Sequence, residues 1–106
     1  MERIVFTDDR GVWSLGSSGK PYGYEWDEIY SVAVSKVDTI TEVYTGVILD
    51  TEYGEFFEFD DGCKGFADAV DEITKKLPGM PSNWMDVALQ LSIEDPPVDV
   101  WTRQAI

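Results

Sequence analysis

The stretch "LDTEYGEFFEFDDG", Leu49–Gly62, decides the fold, because the chain reverses inside it and its apolar residues fix how. A two-residue loop at Tyr53-Gly54 would set Leu49 opposite Glu58 and Asp50 opposite Phe57, mixing core with charge. A three-residue loop, Glu52-Tyr53-Gly54, moves the register by one. Val47, Leu49, Phe57 and Phe59 then share one face, and Ile48, Asp50, Phe56, Glu58 and Asp60 share the other. A one-residue slip exchanges the two faces of a strand, so burial selects the three-residue loop. It also puts Gly54 where a type I turn with a bulge needs left-handed backbone.

Upstream of this hairpin the chain reads as strands. "ERIVFTD" alternates Ile4 and Phe6 against Arg3 and Val5, Asp8-Asp9-Arg10-Gly11 supplies a turn, and "VWSLG" is the partner strand. Ser17-Ser18-Gly19-Lys20-Pro21 is a loop, and "YGYEW" a third strand with Tyr22, Tyr24 and Trp26 on one face. After a turn at Asp27-Glu28, "IYSVAVSKVD" alternates most clearly. Tyr30, Val32, Val34 and Lys36 form one face, with Val32 and Val34 inside; Ile29, Ser31, Ala33, Ser35 and Val37 form the other.

Downstream the period changes to that of helices. Phe66, Ala69, Val70, Ile73 and Leu77 recur at helical spacing, and Pro78-Gly79 ends the segment. Asp71 with Lys75 and Glu72 with Lys76 are i,i+4 pairs. Asn83, with Asp86 three residues on, is placed to cap a second helix through "WMDVALQL", with Trp84, Val87, Ala88 and Leu91 as its apolar stripe. Asp95-Pro96-Pro97 stops it, and "VDVWTR" is a short closing strand. The expected class is α+β: an antiparallel β-meander of five or six strands, two helices at one face or end, and a last C-terminal strand. Residues 1–106 read as a single globular domain.

Composition narrows function. Twenty-one acids against eight bases give a formal charge of −13. Nucleic acid and anionic lipid both demand a basic face, so neither is an expected partner. The lone Cys63 rules out an intrachain disulfide and fits a reducing compartment. No signal-peptide pattern or membrane-length apolar run is present, so the chain reads as an intact cytoplasmic protein.

Histidine is absent, which removes Ser-His and Cys-His catalysis and the usual imidazole metal ligand. Cys63 lacks a second thiol for zinc and reads as a half-buried packing residue, though Lys64 beside it would favour a thiolate. "GSSGK", Gly16–Lys20, lacks Walker A spacing and precedes a strand. "EFDDGCKGF" places Gly62 and Lys64 where a calcium loop needs ligands. Glu58, Asp60 and Asp50 could pair as catalytic carboxylates, but so short a chain seldom builds the required cleft. No metal and no cofactor is expected.

The acidic face remains. Two carboxylates about 6 Å apart repel by roughly 0.7–3 kcal/mol at an effective dielectric of 20 to 80. Water and salt can screen that repulsion, or a cationic partner can relieve it with fast, steered association. Phe56 among these acids resembles an interface anchor. Asp50, Phe56, Glu58, Asp60 and Asp61 are therefore the expected partner-binding residues; Trp13, Tyr22 and Tyr53 are further candidate anchors.

Four segments carry a resemblance: "YEWDEIYSVAVSKVD" (Tyr24–Asp38), "GEFFEF", "GFADAVDEITKKLPGM" and "VWTR". Together they resemble a group of small uncharacterised bacterial proteins with a strand-borne W-[DE]-[DE]-[IL] motif, here Trp26-Asp27-Glu28-Ile29. The resemblance includes an LPG helix end, Leu77-Pro78-Gly79, and a late tryptophan, Trp101. It implies core positions for Trp26 and Trp101 and no catalytic residues. In shape the strand-rich body with a following helix is similar to pleckstrin-homology-like domains. In size and charge the chain resembles immunity proteins, which bind and occlude a cognate toxin domain, often a basic nuclease. The expected function is that of a small acidic bacterial immunity protein, with a basic toxin domain as partner, as a monomer or weak dimer. A pleckstrin-homology-like adaptor and a small carboxylate-dependent hydrolase are the alternatives.

Overall fold

A computed structural model describes residues 3–15 and 19–103. The chain forms β1 (Ile4–Thr7), β2 (Gly11–Leu15), β3 (Pro21–Glu25), β4 (Ile29–Asp38), β5 (Val43–Thr51), β6 (Phe56–Asp60), α1 (Phe66–Lys76), α2 (Asp86–Leu89) and β7 (Val98–Thr102). All strand pairs within the sheets are antiparallel. The class is α+β, as the sequence indicates. The expected single meander is corrected to two sheets, ordered β1-β2-β3 and β6-β5-β4-β7. Part of the expected Ser17–Pro21 loop, and the head of "GSSGK", lies outside the described residues.

The sheets separate at a 3-10 turn, Trp26–Glu28. Trp26 turns into the core, and its indole Nε1 donates to the Asp8 carbonyl at 3.1 Å. Arg103, at the end of β7, locks the same corner. Its Nη2 donates to the Trp26 carbonyl at 2.8 Å and its Nε to the Ile29 carbonyl at 3.0 Å. A register shift between Ile29 and Ser31 follows. This bulge puts two β4 residues against one on β5. Ile29 thereby joins the buried core with Val32 and Val34, which corrects its expected place on the opposite face.

The hairpin adopts the deduced register. Leu49 pairs with Phe57 and Val47 with Phe59, all four buried. The loop is closed by the Thr51 N–H donating to the Glu55 carbonyl at 2.8 Å, and Gly54 has φ 86°. The first turn is held by one carboxylate. Asp8 Oδ1 accepts from the N–H groups of Arg10 and Gly11 and from Trp13 Nε1, at 2.9, 3.0 and 3.0 Å. The Trp13 indole bond is the largest cause holding the Asp8 carboxyl below the ordinary aspartate value. A group with a depressed folded pKa adds stability above its unfolded pKa and loses it as pH falls through the folded pKa. The Trp13 indole N–H resonance is therefore expected to hold steady through the ordinary aspartate range and to shift only at lower pH. A two-dimensional NMR pH titration reads this directly, and a shift midpoint in the ordinary range would count against the assignment.

In α1, Ala69, Ile73 and Leu77 beyond its end are buried, while Phe66 and Val70 pack at the margin. The ion pair on this helix is Glu72 with Lys75 at 4.0 Å, not the two expected i,i+4 pairs. Such exposed pairs contribute little. The second helix is shorter than expected. Asn83 accepts from the Asp86 N–H through its backbone carbonyl, and no side chain caps the helix, because the Ser82–Met85 turn drives Trp84 into the core. Trp101 is also buried, and its Nε1 donates to the Pro78 carbonyl at 2.8 Å. One connected core joins both sheets, α1 and Trp84. No described helix is long and apolar enough to cross a membrane.

Candidate functional site

The outer face of the four-stranded sheet is built by alternation from β4, β5, β6 and β7. Rows of cross-strand neighbours can be read from the registers. Glu58 lies beside Ile48, then Ala33, then Asp99; Phe56 lies beside Asp50, then Ser31, then Thr102. The middle of this face is floored by small residues, Ser31, Ala33 and Ser35, all buried. Ala33 stands outside the main core cluster, consistent with its position on the opposite face. Larger and charged side chains stand at the edges, so the face has an acid on each side strand.

The five sequence-selected residues differ sharply in their surroundings. Phe56 is 55% exposed although it is a large apolar side chain. Glu58 is exposed and has no hydrogen bond or ion pair among the described residues. Asp50 is half-buried and accepts from the Ser31 hydroxyl at 3.3 Å. Asp60 is already neutralised. Arg3 grips it with two bonds of 2.7 and 3.0 Å, and the Asp60 side chain is only 14% exposed. Its Oδ1 also accepts from the Gly62 N–H at 2.9 Å, and the Arg3 guanidinium lies 5.4 Å from the Tyr44 ring centre. Asp61 is exposed and its Oδ1 accepts from the Thr45 N–H at 3.0 Å. The structure thus brings Asp50, Phe56 and Glu58 together on one face and places Asp60 and Asp61 in structural bonds at its end.

Asp99 completes the face and was missed by reading the sequence. Its position follows from how β7 returns beside β4, with a register shift between Val32 and Ala33. A lone aspartate in a five-residue strand carries no local signal of that pairing.

The remaining candidates are less free. Trp13 is half-buried, bonded to Asp8, with the Arg10 guanidinium 5.8 Å from its ring centre. Tyr53 is exposed at the hairpin tip. Tyr22 is 56% exposed and its ring lies 5.8 Å from that of Phe57 on β6. Beside it the Tyr24 hydroxyl is pushed above the ordinary tyrosine value, chiefly by burial, then by its contact with Tyr22. Cys63 is a buried free thiol within the core.

Among the described residues no three carboxylates or thiols converge as a metal cage. Among the described residues, cavities of about 790, 350 and 190 Å³ lie between β1 and α1, beside α2, and around Trp13. Asp99 borders the one beside α2, whereas Asp50, Glu58 and Asp60 line none of the three. Comparison with known protein families, curated proteins and solved structures finds no match.

Proposed function

We propose that the chain is a non-enzymatic protein-binding module, an immunity-type protein that binds and occludes a basic toxin domain. The observation that carries this reading is the exposed Phe56 beside Glu58, itself exposed, on an acid-bearing sheet face. More than half of the Phe56 surface faces water, and burying it in a partner's pocket removes that apolar surface from water. Glu58 and Asp99, at the two sides of the face, attract lysine or arginine, with Asp50 between them. Relief of the −13 charge by a basic surface speeds encounter and makes binding salt-dependent. Inhibition then follows from occlusion and needs no chemistry.

Capture from native cells, read by mass spectrometry, is expected to return one basic toxin domain. Its affinity should fall by about 10³-fold in the Phe56→Ala, Glu58→Lys double variant. That figure is about 4 kcal/mol, from two interface side chains at about 2 kcal/mol each. Neither residue supports the core, so the variant should keep its melting temperature. Unchanged affinity would remove this face from the interface.

A pleckstrin-homology-like adaptor is the second reading. It is supported by two antiparallel sheets of three and four strands with α1 packed against β1. That reading expects a peptide or regulatory protein in place of a toxin, and the same capture experiment separates them.

A further inference from the structure

Deepening this reading, and resting on it, we propose that the partner contributes an extended basic segment that adds to the free edge of β6 as a further strand. Two backbone bonds fix the phase of the hairpin ladder. The Thr51 N–H donates to the Glu55 carbonyl at 2.8 Å, and the Asp61 N–H donates to the Thr45 carbonyl at 3.0 Å. Hydrogen-bonded pairs alternate with non-bonded ones along an antiparallel ladder. Glu55, Phe57, Phe59 and Asp61 therefore turn their N–H and C=O groups toward β5. Phe56, Glu58 and Asp60 turn theirs outward. The Asp60 carbonyl is taken by the Cys63 N–H at 2.9 Å. The N–H and C=O groups of Phe56 and Glu58 have no partner among the described residues.

The other sheet edges are guarded. On β1, the Val5 N–H donates to the Lys64 carbonyl and the Lys64 N–H to the Arg3 carbonyl. β3 opens with Pro21, which has no N–H to offer. β7 follows Pro96-Pro97 and carries a register shift. β6 has no proline, no lysine and no register shift. Its only protection is negative charge, which repels acidic strands and invites basic ones.

Charge also selects the occupant. A second copy pairing its own β6 here, centred on Glu58, would set Glu58 opposite Glu58, and like charges destabilise cross-strand pairs. A strand with lysine or arginine at alternate positions would set its cations beside Glu58. Its other residues would pack on the half-exposed Tyr22 ring, which lies against Phe57.

The test uses the full chain and two synthetic heptapeptides alternating arginine or lysine with valine. One is unmodified; the other is N-methylated at the residues that would donate to the edge. With the unmodified peptide, the Phe56 and Glu58 amides are expected to exchange with solvent at least tenfold more slowly. The Phe57 and Phe59 amides, already bonded to β5, should not change. The N-methylated peptide should bind at least tenfold more weakly. Equal binding of the two peptides, both lost in Glu58→Lys, would overturn strand addition and leave the acidic face standing. No binding of either peptide would overturn both. Protection of Phe56 and Glu58 that rises with protein concentration alone would assign the edge to a second copy and overturn the proposal.

Discussion

Trp84→Ala is expected to lower the unfolding free energy by about 3–5 kcal/mol, measured by urea denaturation. Trp84 is 1% exposed and is the largest fully buried side chain. It is also the main fastening of a weak segment. α2 has four residues, too few to be stable by its own hydrogen bonds, so the Asp86–Leu89 turn persists because Trp84 and Ala88 are buried. The indole Nε1 donates to Thr74 Oγ1 on α1 at 2.8 Å, and that hydroxyl in turn donates to the Val70 carbonyl at 2.8 Å. Truncation leaves a cavity between α1 and the sheet that this short turn cannot follow inward. At roughly 4 °C per kcal/mol, the melting temperature should fall by roughly 12–20 °C. Trp84→Phe keeps most of the volume and loses the indole bond, so about 1–2 kcal/mol is expected. Thr74 remains satisfied by Val70 in that variant. A loss below about 1 kcal/mol in Trp84→Ala would show that this segment detaches without disturbing the core.

The parts of the fold legible in the sequence are those governed by local alternation. Leu49, Phe57 and their neighbours encode one register because any slip exposes them, and that information sits within a single short hairpin. The helix of Ile73 and Leu77 is similarly self-declaring. What the sequence conceals depends on contacts between distant segments. Nothing near Ile29 announces the bulge that turns it inward. That bulge is braced by Arg103, 74 residues away, at the Ile29 carbonyl. Nothing near Asp60 announces Arg3, 57 residues away, so a carboxylate that looks free in the alternation pattern is bound in the fold. The Asn83 cap fails for a related reason. Its local spacing is right, but burying Trp84 outweighs a cap bond of about 1 kcal/mol.

The candidate site was legible to the same degree. Alternation alone assigns Phe56 and Glu58 to an outward face. It cannot supply Asp99, which arrives through β7, or show that Asp60 and Asp61 are held at the end of β6. Nor can composition reveal that the backbone of Phe56 and Glu58 has no partner among the described residues, since that depends on which hydrogen-bond phase the hairpin takes. The acidity of the chain thus resolves into carboxylates that brace turns, such as Asp8, Asp60 and Asp61, and ones such as Glu58 that face outward without a partner among the described residues.

Gly65→Ala should be strongly destabilising. Gly65, the N-cap just before α1, has φ 89°, a left-handed conformation that alanine enters only with strain of about 1–3 kcal/mol. Space is lacking too. A Cβ there would run into the Val5 carbonyl oxygen, which is backbone and cannot swing aside as a side chain would. Relief requires moving Lys64–Gly65 off β1. That breaks the Val5 N–H bond to the Lys64 carbonyl at 2.9 Å and the Lys64 N–H bond to the Arg3 carbonyl at 2.8 Å. It would also shift Arg3, and with it the clasp on Asp60 at the end of β6. The expected outcome is a destabilisation larger than the dihedral strain alone, with faster amide exchange at Val5 and Lys64. Gly54→Ala separates the two causes. Gly54 has φ 86°, but a Cβ added there would meet nothing within 4 Å, so it carries the strain without the collision. Gly65→Ala should therefore exceed Gly54→Ala in denaturant unfolding. Equal losses would mean that the chain yields at the N-cap of α1 and that the β1–Lys64 link is not what holds the helix to the sheet.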